Sequence, residues 1–530
     1  MRFHHLVLPA FLLSIIPFLS TASWFEEATS TVQSMTSDLL IFEREDIDIA
    51  KAQPFPAQML GQSAPYQGEE FGQYSYFIES VFHSQMLVFE TKGKHKQSLL
   101  LVHGLGQLGM QDWQDVVPEL AKHYHIIAID LPGFGLSGVP EGRYSPTHYA
   151  HVLNEVITQY AKESVTVMGH SMGGAVSLRF AAMFPEKLER LVLVDAAGML
   201  EKTAFIKHIS GLSTEDMGNA SRSDTAVNED SLSAELPEVL QTKWMQIKDL
   251  SGSFIEMGSL NDRATDFLQA SDLSWDLLVS PSPNLNAALS LVEEDFSEAI
   301  STLKVPTHVI WGREDTVAPL RTAKVLEHRL PNVSVQIIDE AGHVPMKSHT
   351  QAFLSGLKAA LFSPRLAVQQ ENKQESFLAS AASSSHGTLV CSNENNQTYS
   401  GQFSTVIIKG CSNIQLRDLT AERLIITDSL VAIENLTVQH SELAMEITES
   451  VITMTNANIQ AENGISLSGS RLDLAGVSIH VKGFAFKAES QSKVLLSVSD
   501  IHSAQYQGWV QGGFELEAQT LSPLLSHHEI

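Results

Sequence analysis

Cysteine is nearly absent: the 530 residues hold 2. Two thiols cannot build a disulfide-rich scaffold or a four-thiolate metal site. Positive charge is scarce as well, with Lys plus Arg at 34 against Asp plus Glu at 61 and a net charge of −27. A chain this acidic does not hold a phosphate backbone by bulk electrostatics, so nucleic acid is excluded as a partner. The charge reads instead as solubility. No zinc spacing and no complete G-x-G-x-x-G with its downstream acidic residue is present, and no cofactor or metal is expected. After the N-terminus no segment reaches 18 unbroken apolar residues, so no transmembrane segment is expected once the leader is removed. What remains is ample: 43% hydrophobic residues, enough to fill a core.

The N-terminus reads as an address. Arg2 precedes an uncharged apolar run of 14 residues, Leu6 to Leu19, and Ser20-Thr21-Ala22 supplies small residues at a cleavage site. This is the pattern of a secretory signal peptide over residues 1–22. The run is short for a ~20-residue span and holds Pro9 and Pro17, against a retained anchor. The mature protein is expected to be exported, to the periplasm or the extracellular space.

The rest divides by pattern. Residues 23–84 form a lead-in with Pro54, Pro56 and Pro65. Over 85–365, short apolar runs alternate with helical spacing. The strand candidates are Met86–Phe89, Ser98–Val102, Ile126–Ile129, Val165–Met168, Leu191–Val194, Thr307–Trp311 and Val333–Ile338. Asp112–His123, Pro146–Lys162, Met172–Phe184 and Leu320–Arg329 carry helical spacing between them. That alternation predicts an α/β domain whose mostly parallel sheet is covered on both faces. It breaks over about 199–300, which is too long for a plain loop and predicts a helical cap over the sheet's C-terminal edge. Residues 366–388, including the Gln-, Glu- and Ser-rich run Gln369–Gly387, read as a linker that lets its neighbours move independently.

Residues 389–510 change again. Leu424/Ile426, Met445/Ile447, Ile465/Leu467 and Phe484/Phe486 are alternating apolar pairs stepping by 21, 20 and 19 residues. Val438, Ile459 and Ile479 step by 21 and 20, and Ser429, Ser450, Ser470 and Ser490 by 21, 20 and 20. A period near 20 without helical spacing predicts an all-β solenoid, a right-handed parallel β-helix. Cys391 and Cys411 stand 20 apart, about one coil, and are expected to form a disulfide in an exported protein. Such a closure is worth about 3 kcal/mol in the chain-entropy model. Asp428, Glu449 and Glu489 give only a partial acidic row, which a solvated turn face explains. Residues 511–530 are a tail.

Chemistry concentrates in the α/β domain. Gly169-His170-Ser171-Met172-Gly173 lies between a Val-rich strand and a helical run. There, G-x-S-x-G holds the serine on a tight turn and the glycines let strand and helix approach. A nucleophilic serine needs a base, and the base an orienting acid. His343 follows the last strand in a Gly-His turn, and Asp315 follows the strand before it. Asp195 and Glu314 are the weaker candidates for the acid. His103-Gly104-Leu105-Gly106, after the strand Ser98–Val102, suits an oxyanion hole, with donors on Leu105 (Gly106 its neighbour) and Met172.

Together with Asp130-Leu131-Pro132-Gly133-Phe134-Gly135-Leu136-Ser137, Gly169–Gly174 (GHSMGG), Gly312–Asp315 and Gly342-His343, these motifs resemble the α/β-hydrolase superfamily over about Gln85 to Phe362. The GHSMGG form is similar to its serine esterase and lipase branch. The resemblance implies an α/β-hydrolase fold with a helical cap and a structural role for Asp130–Ser137 beside the oxyanion loop. Where relatives often carry an acidic residue five positions after the catalytic His, Ser348 stands here. The expected function is an exported serine hydrolase cleaving carboxylic esters, small-molecule or lipid, through Ser171, His343 and Asp315. An amidase, peptidase or C–C bond hydrolase on the same triad, or a binding protein on a hydrolase scaffold, stays open. The solenoid is expected to be structural or to bind a carbohydrate or cell-surface ligand.

Overall fold

The computed structural model describes residues 53–54, 66, 71–106, 108–200, 283–362 and 387–518. The leader, nearly all of the lead-in before residue 71, most of the expected cap, almost the whole linker and the last residues of the tail lie outside them. The first strands in chain order are β1 (Gln53–Pro54), β2 (Gly72–Ile78), β3 (Gln85–Thr91), β4 (Gln97–Val102), β5 (His125–Asp130), β6 (Ser164–His170), β7 (Arg190–Val194), β8 (Thr307–Gly312) and β9 (Val333–Ile338). The helices are α1 (Val117–Leu120), α2 (Pro146–Tyr160), α3 (Met172–Met183), α4 (Pro283–Val292), α5 (Ser297–Thr302), α6 (Leu320–Arg329), α7 (Pro345–Ser348) and α8 (Thr350–Phe362).

The first sheet has the order β1-β2-β3-β5-β4-β6-β7-β8-β9. From β5 through β9 in that order every pairing is parallel, while β1, β2 and β3 join antiparallel. Alternate residues of its central strands feed two cores: Leu100, Val102, Ile127 and Ile129 point to one, Leu99, Leu101, Ile126 and Ala128 to the other. Burial on both faces is why these strands read as continuous apolar runs. On α2, Tyr149, Leu153, Val156 and Tyr160 recur at helical spacing and are buried. Ser145 caps that helix by accepting from the His148 N–H at 3.2 Å.

Two expectations are corrected here. The sheet starts before Gln85, because β2 pairs with β3 across a hairpin; its polar, half-exposed sequence GQYSYFI hid it within the lead-in. Asp112–His123 is not one helix but a 3₁₀ turn, Gly109–Trp113, and the four-residue α1, where Pro118 fits only the opening turn.

The second sheet contains β10 (Thr388–Ser392), β11 (Thr398–Lys409), β12 (Ile414–Thr427), β13 (Leu430–Thr448), β14 (Val451–Ser468), β15 (Arg471–Val481), β16 (Phe486–Ala488), β17 (Ser492–His502) and β18 (Gln507–Leu516). From β10 to β17 all pairings are parallel. Leu424, Met445, Ile465 and Phe486 stand in one register column, and Val438, Ile459, Ile479 and Ile501 in another. Their side chains fill a core of their own. The antiparallel β18 closes the far end and carries the domain past residue 510 to Leu516.

Three details differ from the sequence reading. The fourth apolar pair is Phe486/Ala488, not Phe484/Phe486, since Ile465 pairs with Phe486 and Leu467 with Ala488. The serine column continues at Ser492, not Ser490. Both slips are of two residues, which preserves the inward face, so alternation alone cannot detect them. Cys391 and Cys411 do form a disulfide, with Cα atoms 6.8 Å apart, yet Cys391 stands in register with Ile408 rather than with Cys411.

The two sheets are joined through α6. Arg321 donates to Thr455 Oγ1 and Asp473 Oδ1, both at 2.8 Å, and to the Met454 carbonyl at 2.7 Å. Lys324 pairs with Glu434 at 2.7 Å, and Arg329 with Asp500 at 2.9 Å. Val325 shares one buried cluster with Ala475 and Val498. The expected independent movement of the two halves does not fit this docked face.

Candidate active site

Strand β6 ends at His170, and α3 starts at Met172. Ser171 between them has φ 53°, a left-handed conformation that a non-glycine residue adopts only under tertiary constraint. The constraint is visible: its N–H donates to the Val194 carbonyl at 3.0 Å, and its own carbonyl accepts from Gly174 at 2.9 Å and Ala197 at 3.2 Å. A Cβ on Gly169 would run into the Gly173 backbone, and one on Gly173 into the carbonyls of Val102 and His103. The turn therefore needs both glycines.

Two loops meet this turn. Asp315, after β8, and His343, after β9, come from the C-terminal edge of the sheet. His343 Nε2 lies 2.9 Å from Ser171 Oγ, and His343 Nδ1 lies 2.8 Å from Asp315 Oδ2. Asp315 Oδ1 accepts from the N–H groups of Val317 at 2.8 Å and Ala318 at 2.9 Å. Burial pushes the Asp315 carboxyl up, but the facing His343 and these hydrogen bonds carry it below the usual aspartate value. Held as a carboxylate, it can only accept, so Nδ1 carries the imidazole proton and Nε2 is left as the acceptor for the serine hydroxyl.

Asp195, the alternative acid, sits beside Asp315 but accepts from the Gly312 N–H at 2.8 Å. Full burial and the Asp315 charge push its carboxyl well above the ordinary range. It makes no contact with His343, and the carboxylate that does belongs to Asp315. Glu314 uses its backbone N–H to hold the Ala341 carbonyl. Ser348, in α7, donates to the Val344 carbonyl at 3.1 Å.

The expected oxyanion loop lies against the serine. A Cβ on Gly104 would meet Ser171 Cβ at 2.9 Å. The Gly106 N–H donates to Asn284 Oδ1 at 3.0 Å, which leaves Leu105 as the candidate donor of this loop. Met172 is the first residue of α3, so its N–H lies at a helix N-terminus, with the positive end of the dipole. The Asp130–Ser137 turn packs here as expected. His103 Nε2 accepts from the Leu131 N–H at 3.0 Å, and the Asp130 carboxylate accepts from Met110 at 2.7 Å and Leu136 at 2.9 Å.

Two residues of this site carried no sequence signal. His170 is buried, and burial with the nearby His343 lowers its pKa to about 4. Neutral, its Nε2–H donates to the His343 carbonyl at 2.8 Å and fixes that loop on the elbow. Asn284 opens α4 and is buried against Gly106. Asp195, Asp315 and His343 place ligand atoms within 4.8 Å of one another, but His343 and Asp315 are engaged with each other and with Ser171.

Comparison with known proteins gives a consistent picture. A family model described as alpha/beta hydrolase fold matches residues 97–350. An uncharacterized protein of Mycobacterium bovis is 30% identical over 269 residues, covering 48% of this chain and 73% of its own. A pimeloyl-[acyl-carrier protein] methyl ester esterase of Pectobacterium atrosepticum is 28% identical, covering 50% of this chain and 95% of its own. Lipase 3 of Moraxella sp. is 26% identical, with shares of 52% and 82%.

Proposed function

We propose the reaction from one premise: the chain belongs to the alpha/beta hydrolase family, and its relatives include esterases and lipases. In our reading it is a serine hydrolase that cleaves carboxylic esters, small-molecule or lipid. The observation that carries this is the chain of short contacts from Ser171 Oγ through His343 to Asp315, at 2.9 and 2.8 Å.

Ser171 Oγ attacks the acyl carbon, and its proton passes to His343 Nε2. The carbonyl oxygen becomes an oxyanion, for which the N–H groups of Leu105 and Met172 are the proposed donors. Collapse breaks the ester C–O bond, and the leaving alcohol takes the proton from Nε2. Water then attacks the acyl-enzyme, with His343 again taking and returning a proton. Asp315 stabilises the transient imidazolium throughout. No step asks for a cofactor.

We also propose that the protein is exported, to the periplasm or beyond. The leader-like pattern at residues 1–22 and the Cys391–Cys411 disulfide support this, because such bonds persist in oxidising compartments. The parallel stack from β10 to β17 we read as a right-handed β-helix that supports the catalytic domain and leaves its outer faces for a carbohydrate or cell-surface ligand. Among the described residues no helix is long and apolar enough to cross a membrane.

A panel of p-nitrophenyl esters from short to long acyl chains tests the reaction. Turnover that saturates with at least one ester and vanishes in Ser171→Ala is expected. No turnover by the wild-type protein on esters, with turnover on anilides instead, would move the reading to amides.

A further inference from the structure

A second group of chemistry-bearing side chains lies on the solenoid, away from the serine. Asp500 and His502 are two apart on β17 and so share a face. His480, on β15, is the register partner of His502 one coil earlier. The three ligand atoms lie within 4.8 Å of one another. His480 Nε2 is 2.9 Å, and His502 Nε2 3.7 Å, from the same oxygen, Asp500 Oδ2. The two rings meet edge to face at 4.5 Å.

We propose that His480, Asp500 and His502 form a binding site for a divalent transition-metal ion of the zinc class. With metal–ligand bonds near 2.0–2.1 Å, tetrahedral ligands stand about 3.3 Å apart. The two distances to Asp500 Oδ2, 2.9 and 3.7 Å, bracket that value. Two imidazoles and one carboxylate suit zinc, cobalt, nickel or copper and disfavour magnesium and calcium, which take oxygen ligands. The His480 hydrogen bond to Oδ2 is given up on binding, and each ring nitrogen that ligates does so without a proton.

The carboxylate is set up for this use. Its other oxygen, Oδ1, is taken by Ser478 Oγ at 2.6 Å and by Arg329 Nη1 at 2.9 Å. Asp500 is therefore held in place and can offer only Oδ2, as one monodentate ligand. Both histidine side chains are about half exposed, 48% and 49%, which leaves room for water or a small anion on the remaining coordination positions. Because Arg329 belongs to α6, an ion here would also bear on the contact between the two sheets.

The test uses the full chain after chelator treatment. Co²⁺ is titrated with its visible absorption followed, then displaced with Zn²⁺, and Mg²⁺ serves as comparison. Wild type is expected to bind one more equivalent of Co²⁺ than His480→Gln/His502→Gln, and Mg²⁺ is expected not to compete. His502→Gln alone, whose nearest charged partner is 3.7 Å away, should fold normally and lose at least tenfold in Co²⁺ affinity. Circular dichroism shows whether each variant is folded. Identical titrations for wild type and folded His502→Gln would overturn the site.

Discussion

His343 is held at three points. Asp315 takes Nδ1, Ser171 faces Nε2, and His170 anchors the backbone carbonyl. With its pKa lowered to about 4, His170 stays uncharged, so no second cation would oppose an imidazolium at His343 in the proposed reaction. Ser171→Ala should lower ester hydrolysis by several orders of magnitude with an unchanged circular dichroism spectrum. Retention of a tenth of the rate would assign the nucleophile elsewhere. Asp315→Asn should cost about 10³–10⁴ in rate, because the imidazole tautomer is no longer enforced. Asp195→Asn, replacing an acid that binds the Gly312 N–H rather than His343, should cost far less, and the reverse ranking would exchange their roles. Buried histidines also set an acid limit. His170 and His308 both have pKa values lowered to about 4, below an ordinary 6.5, so the unfolded chain binds more protons between those values. Stability is present above about pH 6.5 and falls as pH drops towards 4, by about 2 kcal/mol per histidine at pH 5. Melting temperatures at pH 7 and pH 5 read this, and His308→Gln should shrink the difference. Ser171, Asp315 and His343 were legible because each sits just past a strand end in a short motif. His170 and Asn284 were not, since their partners lie 173 and 178 residues away in sequence.

Elements show the same division between local pattern and long-range register. The parallel strands β4 to β9 were legible as apolar runs, whereas β2 was masked by its half-exposed polar residues. In the parallel stack, a serine at the start of each strand ties it to its neighbour. Ser450 Oγ accepts from the Ser429 N–H at 3.0 Å and donates to the Thr448 carbonyl at 2.7 Å. Ser470 and Ser492 repeat the pattern at 3.1 Å, and Cys411 takes the serine's place in the first position, its N–H donating to Ser429 Oγ at 3.0 Å. The residues before Cys411, Ser429, Ser450 and Ser470, namely Gly410, Asp428, Glu449 and Gly469, all have positive φ, so Asp428 and Glu449 of the partial acidic row are turn residues, while Glu489 stands outside this column. Ser450→Ala would leave a buried N–H without its acceptor, a loss of about 1–3 kcal/mol. Thermal melts should show the drop, and ester turnover at low temperature should not change. An equal melting temperature would mean the column is incidental.

At the scale of the whole chain, α6 carries the ion pairs that join the two sheets; its spacing read as an amphipathic helix but did not reveal its partner. Arg321 and Asp473 are largely buried together, and a buried ion pair broken by removing one partner typically costs 3–5 kcal/mol. Arg321→Ala should therefore lower the melting temperature. A chain ending at Ala367 should lose stability by about 5 °C or more, because α6 is left facing water. Both should keep turnover on a small soluble ester, since no triad or oxyanion-loop residue lies in the second sheet; a well-folded truncated chain without activity would place the second sheet in the substrate site. The central claim, that Ser171 is a nucleophile activated by His343, is tested most directly by reaction with a fluorophosphonate and mass spectrometry of the modified peptide. One adduct per chain on Ser171, absent in His343→Ala, is the predicted result. A folded wild-type protein that takes no label, or takes it on another serine, would contradict the account.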